Sequence, residues 1–388
     1  MGSSSLFHSS IDTCFNIIVM KKGIALVDCN NFYAACEQTI DPSLSGLPLV
    51  VLSNNDGCII ARSSEARALG IPMGQPYFKA RLKLERLGVH IRSSNYELYG
   101  DMSQRLMQLL NEHCERLEIY SIDEAFIKLS SSYDYDFSKW ASKIRALAYQ
   151  NLGIPVTIGI GYTKGQAKIA NHIAKANPSH AGVLNIGESH NIEKYMESVG
   201  IEKVWGIGKK MANLCRRQGI TNAQELITTP EYQIKTKLGI IGIRIQMELK
   251  GIICLPIRKE PRKKKETCVS RSFSSPLNNL IRFKSEIISQ IYLASQKLRR
   301  QGQLTGEIRV FTNSSIHKEN FYAKEAIARL DIPSNDTRDL INIALPLIKQ
   351  IYNEKACLIR TGILMKSLRP DKYIQSNLFS NDTIIEIK

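Results

Sequence analysis

The chain has 388 residues, 43% of them hydrophobic, and 52 Lys and Arg against 36 Asp and Glu give it a formal net charge of +16. That length fills about two to four packed domains, and the excess of cations calls for a polyanionic partner. The nine cysteines form no C-x-x-C pair, the seven histidines show no ligand spacing, and the apolar run Cys14–Met20 is too short for a bilayer, which argues against a disulfide framework, a zinc site and a membrane anchor.

In chain order, the Ser-rich residues 1–19 read as an extension outside the fold. A strand at Gly23–Asp28, a helix at Asn31–Thr39, a buried strand at Leu47–Leu52, a strand at Cys58–Ala61 and a helix at Ser63–Leu69 begin a small α/β lobe that reaches about His90. A long helix at Asn95–Leu117 carries the stripe Leu98, Met102, Leu106, Leu109 and Leu110. Strands Glu118–Ile122 and Ala125–Leu129, a helix at Phe137–Asn151 and a strand at Pro155–Gly161 complete a split βαβ sheet, expected to carry its helices on one face. In the helix that follows, Lys164, Lys168 and Lys175 share a face. The pattern is all-helical from Ile186 to Gly251, then breaks at the basic, two-proline stretch Pro256–Lys265, read as a tether. Beyond it comes a second βαββαβ order: Cys268–Phe273, Asn279–Arg300, Glu307–Thr312, Phe321–Leu330, Asp336–Tyr352 and Leu358–Met365. Arg369–Lys388 lack periodicity and are expected to hang free.

The chemistry sits at two strand ends. Asp28 closes the apolar run Ile24–Val27, and Asp123-Glu124 follow Ile119–Ile122. Carboxylates there carry a desolvation penalty unless something positive meets them. Consecutive strand residues face opposite ways, so Asp123 and Glu124 serve one site only where the strand ends or turns. Three such acids suit Mg²⁺, a hard ion that completes its shell with water and phosphate oxygens, and hence phosphoryl transfer of the two-metal kind. Gly159-Ile160-Gly161 lacks the G-x-x-x-x-G-K-[ST] of a phosphate loop and is expected to let a strand turn tightly. No acidic pair ends a strand in the second βαββαβ unit, which is expected to bind and not to catalyse.

Five separated motifs then carry a resemblance: D-x-N-x-F-Y-A at Asp28–Ala34, SNNDGCIIAR at Ser53–Arg62, SSNYELYGDMS at Ser93–Ser103, SIDEAF at Ser121–Phe126 and VWGIGKK at Val204–Lys210. In this order they resemble the Y-family translesion DNA polymerases, and among them the UmuC-type catalytic subunits of bacterial polymerase V. The resemblance implies an α+β, multidomain right-hand polymerase: a ferredoxin-like palm (20–28 and 93–185), small fingers (29–92), a helical thumb with a helix-hairpin-helix (186–255), a basic linker (256–266), a βαββαβ little finger (267–366) and a tail (367–388). It implies that Asp28, Asp123 and Glu124, with the Cys29 backbone carbonyl, hold two Mg²⁺ ions, and that Tyr33 is the steric gate against a 2′-hydroxyl. Arg67 and Lys175 would hold the triphosphate, although Ser64 stands where archaeal members usually have a tyrosine. Gly206, Gly208, Lys209 and Lys210 resemble a phosphate-binding hairpin turn, and Arg262, Lys263, Lys264 and Lys265 would lie along the duplex. Gln375, Leu378 and Phe379 resemble a sliding-clamp peptide with Ser376 in place of its leucine. Implied partners are primer-template DNA, dNTP, the clamp, a UmuD-type accessory dimer and a recombinase filament, in the bacterial cytoplasm and at the nucleoid when active. Two other classes compete: a catalytically dormant DNA-binding accessory or checkpoint subunit, and a nucleotide cyclase built on a similar palm.

Overall fold

Strand β1 (Lys21–Cys29) buries both of its faces, which is why its sequence is apolar without alternation. Ala25, Val27 and Cys29 enter one core, and Ile24 and Leu26 enter another on the opposite side. The structure is a computed structural model that describes residues 21–131, 135–258, 260, 263–315 and 320–372. It divides into two compact units, Met1–Pro261 and Arg262–Lys388.

In the first unit β1 leads into α1 (Phe32–Ile40) and a three-stranded sheet of β2 (Leu49–Leu52), β3 (Ile59–Arg62) and β4 (His90–Ser93), in the order β3-β2-β4. Helices α2 (Ser64–Ala68) and α3 (Tyr77–Arg86) lie between β3 and β4 in sequence, and Ala66, Ala80 and Leu84 on them close a small core against Val50, Leu52 and Ile59. Next come α4 (Tyr96–Glu112), β5 (Arg116–Ile119), β6 (Glu124–Ser131), α5 (Phe137–Leu152), β7 (Val156–Gly161), α6 (Lys164–Ala176) and β8 (Val183–Asn185). The main sheet runs β5-β6-β1-β7-β8, so β1 is central, antiparallel to both β6 and β7. Its first four strands have the ferredoxin-like order, and β8 adds in parallel beside β7.

As expected, the two helices of the split βαβ unit, α4 and α5, share one face, the side of Ala25 and Val27, and the following helix α6 covers the opposite side, with Leu26 and Phe126. Two expectations are corrected here. The glycines of β7 do not turn the strand. A Cβ on Gly159 would lie 2.7 Å from the Asn171 Cα and overlap the Asn171 amide nitrogen, and one on Gly161 would lie 2.5 Å from the Gln166 Cβ. The pair lets the backbone of α6 settle directly on the strand. The long helix is also shorter than expected, capped at His113, because Arg116–Ile119 pairs with β6.

The remaining helices of this unit are α7 (Ile192–Glu197), α8 (Lys209–Arg216), α9 (Ala223–Thr228) and α10 (Glu231–Leu249), the last interrupted by Gly239 at φ +65°. Pro256–Arg258, read as the start of a tether, are fastened to this unit: the Arg258 amide donates to Glu118 Oε2 (2.7 Å) and the Lys164 ammonium to the Pro256 carbonyl (3.3 Å).

The second unit comprises β9 (Thr267–Ser272), α11 (Leu280–Arg300), β10 (Gln303–Ser314), β11 (Ala323–Ser334), α12 (Thr337–Ile351) and β12 (Leu358–Lys366). The element order repeats that of the main sheet, but the strand order is β11-β10-β12-β9, with β9 at an edge. Helices α11 and α12 cover one face. The other carries an ion network in which Arg309 bonds Glu307 (2.7 Å) and Glu325 (3.4 Å). The segment expected to hang free begins with a pairing, β13 (Arg369–Pro370) on β10.

Candidate active site

Asp28 and Glu124 stand directly opposite each other on β1 and β6, so both side chains leave the same face of the sheet, the one covered by α6. Asp123 lies in the bend just before β6, and its carbonyl accepts the Cys29 amide at 2.9 Å. The bend is closed locally: the amides of Tyr120 and Ser121 donate to the Glu124 carbonyl, and the Ser121 hydroxyl donates to Asp123 Oδ1 at 2.6 Å. Three acids thus adjoin at the ends of two neighbouring strands.

Helix α6 delivers a lysine to each acid on its face. Lys168 Nζ lies 2.7 Å from Glu124 Oε2, Lys175 Nζ bonds Asp28 Oδ1, and Lys164 Nζ lies 2.6 Å from Glu118 Oε2. Spaced by four and seven residues, the three lysines do project together, onto carboxylates and not into solvent. Burial pushes the Asp28 carboxyl up to about 7; Lys175 opposes the rise, and the Glu124 carboxylate adds to it. The Cys29 thiol is buried and also pushed up, by desolvation and then by Asp123 and Asp28. Among the described residues no three His, Cys, Asp or Glu side chains form a ready cation cage.

On the other side of the acids, Asn31 takes a left-handed backbone (φ 52°), which asparagine tolerates, and turns the chain from β1 into α1. This sets Tyr33 beside Tyr99, stacked at 4.3 Å between ring centroids, and edge-on to Tyr96 at 6.0 Å. Tyr99 is fully buried and donates to Glu37 Oε1 at 2.6 Å, so the platform under Tyr33 is fixed. Burial raises the Tyr33 pKa, with Tyr96 and then Asp123 contributing. Phe32 packs beneath, in the core.

The other residues singled out in the sequence are not drawn into this cluster. Arg67 is exposed on α2, where it adds to the burial that pulls the Arg62 guanidinium pKa down. Gly206 (φ +91°) and Gly208 bracket the buried Ile207, and Lys209 and Lys210 open α8 exposed. Lys263, Lys264 and Lys265 are exposed in the second unit, where the Lys264 carbonyl accepts from Gln303 (3.2 Å). Arg262 and the peptide Gln375, Leu378 and Phe379 lie outside the described residues.

The sequence pattern of the impB/mucB/samB family matches residues 27–172, and that of the family's C-terminal domain matches residues 264–378. The chain belongs to the impB/mucB/samB family. It is 36% identical to Protein UmuC of Salmonella typhimurium over 92% of this chain and 86% of that one. It is also 30% identical to DNA polymerase IV of Picrophilus torridus, over 85% of this chain and 92% of that one. Its fold is that of a Y-family DNA polymerase chimera, Dbh-Dpo4(243-245)-Dbh, with a TM-score of 0.71 at 19% identity, covering 90% of this chain and 99% of the other. An insertion ternary complex of Dbh DNA polymerase matches at a TM-score of 0.56 and 20% identity, over 89% and 98% of the two chains. The chain is therefore a UmuC-type member of this family with the fold of a Y-family DNA polymerase.

Two residues at the site escaped sequence reasoning. Tyr120 and Trp205 hydrogen-bond each other (Trp205 Nε1 to the Tyr120 hydroxyl, 3.2 Å) beside the acids. They lie at the margins of the SIDEAF and VWGIGKK runs, whose acids and glycines carry the recognisable chemistry. Lys168 was visible only as a neighbour of Lys175, seven residues earlier on α6.

Proposed function

We propose that this polymerase extends primers across damaged template bases with low fidelity, as the catalytic subunit of an SOS-type translesion enzyme. The observation that carries the reading is Asp28 facing Glu124 across adjacent strands, with Asp123 at the corner. The donor set fits divalent Mg²⁺: it offers carboxylate oxygens at strand ends, and burial together with the neighbouring Glu124 makes the Asp28 proton hard to lose without a cation. Asp28, Asp123, Glu124 and the Cys29 carbonyl would hold two such ions. When bound, these lower the pKa of the primer 3′-hydroxyl and neutralise the leaving pyrophosphate. The chain's own residues orient the rest. Tyr33 on its Tyr99 platform meets the incoming sugar, and Lys175 and Arg67 meet the triphosphate. Gly206–Lys210 and the basic run at 262–265 meet phosphates of the duplex without reading bases.

Within this reading, residues 20–28 and 93–185 form the palm, 29–92 the fingers, 186–255 the thumb and 267–366 the little finger. The sliding clamp meets Gln375, Leu378 and Phe379, and a UmuD-type dimer and a recombinase filament complete the active assembly. Primer extension on an abasic template, with and without Mg²⁺ and accessory proteins, tests the proposal. Extension past the lesion that needs Mg²⁺ supports it, whereas DNA binding without synthesis under every condition points to the dormant subunit.

Two expected results follow from the site. Tyr33→Ala should raise ribonucleotide incorporation roughly 10- to 100-fold relative to dNTP use, the scale at which one packed group discriminates substrates. Single-nucleotide insertion kinetics read it directly, and unchanged sugar selection would contradict the gate. The second result concerns protons. The folded Asp28 carboxyl titrates at about 7, far above its ordinary 3.8, so an arriving cation must displace a proton below neutrality. Mg²⁺ affinity of the DNA-free chain should therefore rise from about pH 6 to about pH 8 and level off above. Calorimetry in two buffers of different ionisation enthalpy measures the released proton.

A further inference from the structure

Lys168 is held from two sides. Its ammonium lies 2.7 Å from Glu124 Oε2, and the same nitrogen lies over the rings of Tyr120 at 4.7 Å and of Phe126 and Trp205 at 5.8 Å each. The side chain is only 16% exposed. The rings are locked to one another. Trp205 Nε1 donates to the Tyr120 hydroxyl, Tyr120 meets Trp205 edge-on at 5.7 Å and Phe126 at 5.5 Å, and Phe126 is fully buried. Trp205 directly precedes Gly206, the left-handed residue of the turn that opens α8. The helical part of the first unit thus reaches back to one acid of the site through a single indole.

A desolvated ammonium over aromatic faces is held more firmly than one in water. Such a cation, seated on a carboxylate, competes with any other cation for that oxygen. We propose that Trp205 is a positioning residue of the active site: through Tyr120 it clamps Lys168 onto Glu124, making the ammonium the resident counter-ion that a divalent cation must displace. The proposal rests on reading Glu124 as a metal-holding acid. It adds that access to this acid is set by an aromatic residue outside the sheet, at the edge of the turn proposed to meet the duplex.

The test is Mn²⁺ binding to the full-length, DNA-free chain, followed by the loss of the free-ion electron paramagnetic resonance signal. Glu124→Ala should weaken binding. Lys168→Met should tighten it roughly tenfold, since it removes a positive charge from beside the ligand oxygen. Trp205→Ala should tighten it about threefold by loosening the lysine, and Trp205→Phe, which keeps a ring there, should stay close to the native value. Tyr120→Phe, which deletes only the hydroxyl that anchors the indole, should move binding in the direction of Trp205→Ala and carries the test if that variant does not fold. If Lys168→Met tightens binding while Trp205→Ala and Tyr120→Phe do not, Trp205 has no positioning role. If Glu124→Ala weakens binding and Lys168→Met changes nothing, the lysine is no competitor. If Glu124→Ala itself leaves binding intact, the reading of Glu124 fails and takes the inference with it. A purely structural role for Trp205 predicts a lower melting temperature without tighter Mn²⁺ binding, and that result also overturns the proposal.

Discussion

Asp28→Asn is expected to lower Mg²⁺-dependent primer extension by roughly a thousandfold or more, because the substitution removes the charge that stabilises the reacting centre. The fold should survive it. Asn has nearly the same shape, and the abandoned Lys175 side chain, 31% exposed, can turn to water. The native carboxyl costs stability when ionised. Its folded pKa of about 7 exceeds the ordinary 3.8, so the folded state binds the extra proton between these values and stability falls as pH rises through that window. At alkaline pH without divalent ions, Asp28→Asn should therefore melt no lower than the native chain while being inactive. Asp123→Ala should be equally inactive for the same reason and keep its fold, since among the described residues its carboxylate gives up only the hydrogen bond from the Ser121 hydroxyl. Extension at the native rate by either variant would remove that acid from the mechanism.

Gly159→Val should be the most damaging change outside the acids. The added carbons would strike the Asn171 amide nitrogen and the Ala167 carbonyl oxygen, backbone atoms that no rotamer change can move. Overpacking of this kind costs about 3 kcal/mol or more, which lowers Tm by roughly 6–12 °C in a unit of this size. Helix α6 must also lift from β7, carrying Lys168 and Lys175 away from Glu124 and Asp28. Activity at a permissive temperature should accordingly fall further than the melting curve alone accounts for. Gly100→Ala is the control. It lies inside α4 with open space around a new Cβ, and should be neutral or stabilising by about 0.5–1 kcal/mol. A Gly159→Val chain that melts and extends primers like the native one would show that α6 does not depend on this close approach.

The elements and their order were legible because each is a long periodic run, as in α4, α5, α11 and α12. The acids were legible because a carboxylate closing an apolar strand is expensive unless it is used. What could not be read was lateral: the edge position of β9 in the second sheet, and the face that α6 covers. The unbroken apolar run of β1 announces two buried faces, and the helix that covers the second one, α6, lies beyond the split βαβ unit in sequence. The shared face of Lys164, Lys168 and Lys175 was legible from their spacing, but not what it meets, because their partners, Glu118, Glu124 and Asp28, come from three different strands and meet them only in the sheet. Gly159 and Gly161 read as a turn for a related reason: closeness of a helix backbone leaves no trace in a local pattern except the missing side chain. Tyr120 and Trp205, 85 residues apart, gave no joint signal at all.

The two sheets share one recipe of elements and differ in where the first strand goes. In the main sheet the opening strand is flanked on both sides, so whatever stands at its far tip is crowded by β6 and β7 and can be gathered into a pocket. In the other, the opening strand β9 has β12 as its only neighbour among the described residues and ends in exposed residues. A carboxylate grafted at that tip would stay in water with nothing to share its charge. Swapping acids between the units should therefore not transplant a reaction centre, since the second sheet has no flanked opening strand at whose tip charge could be concentrated.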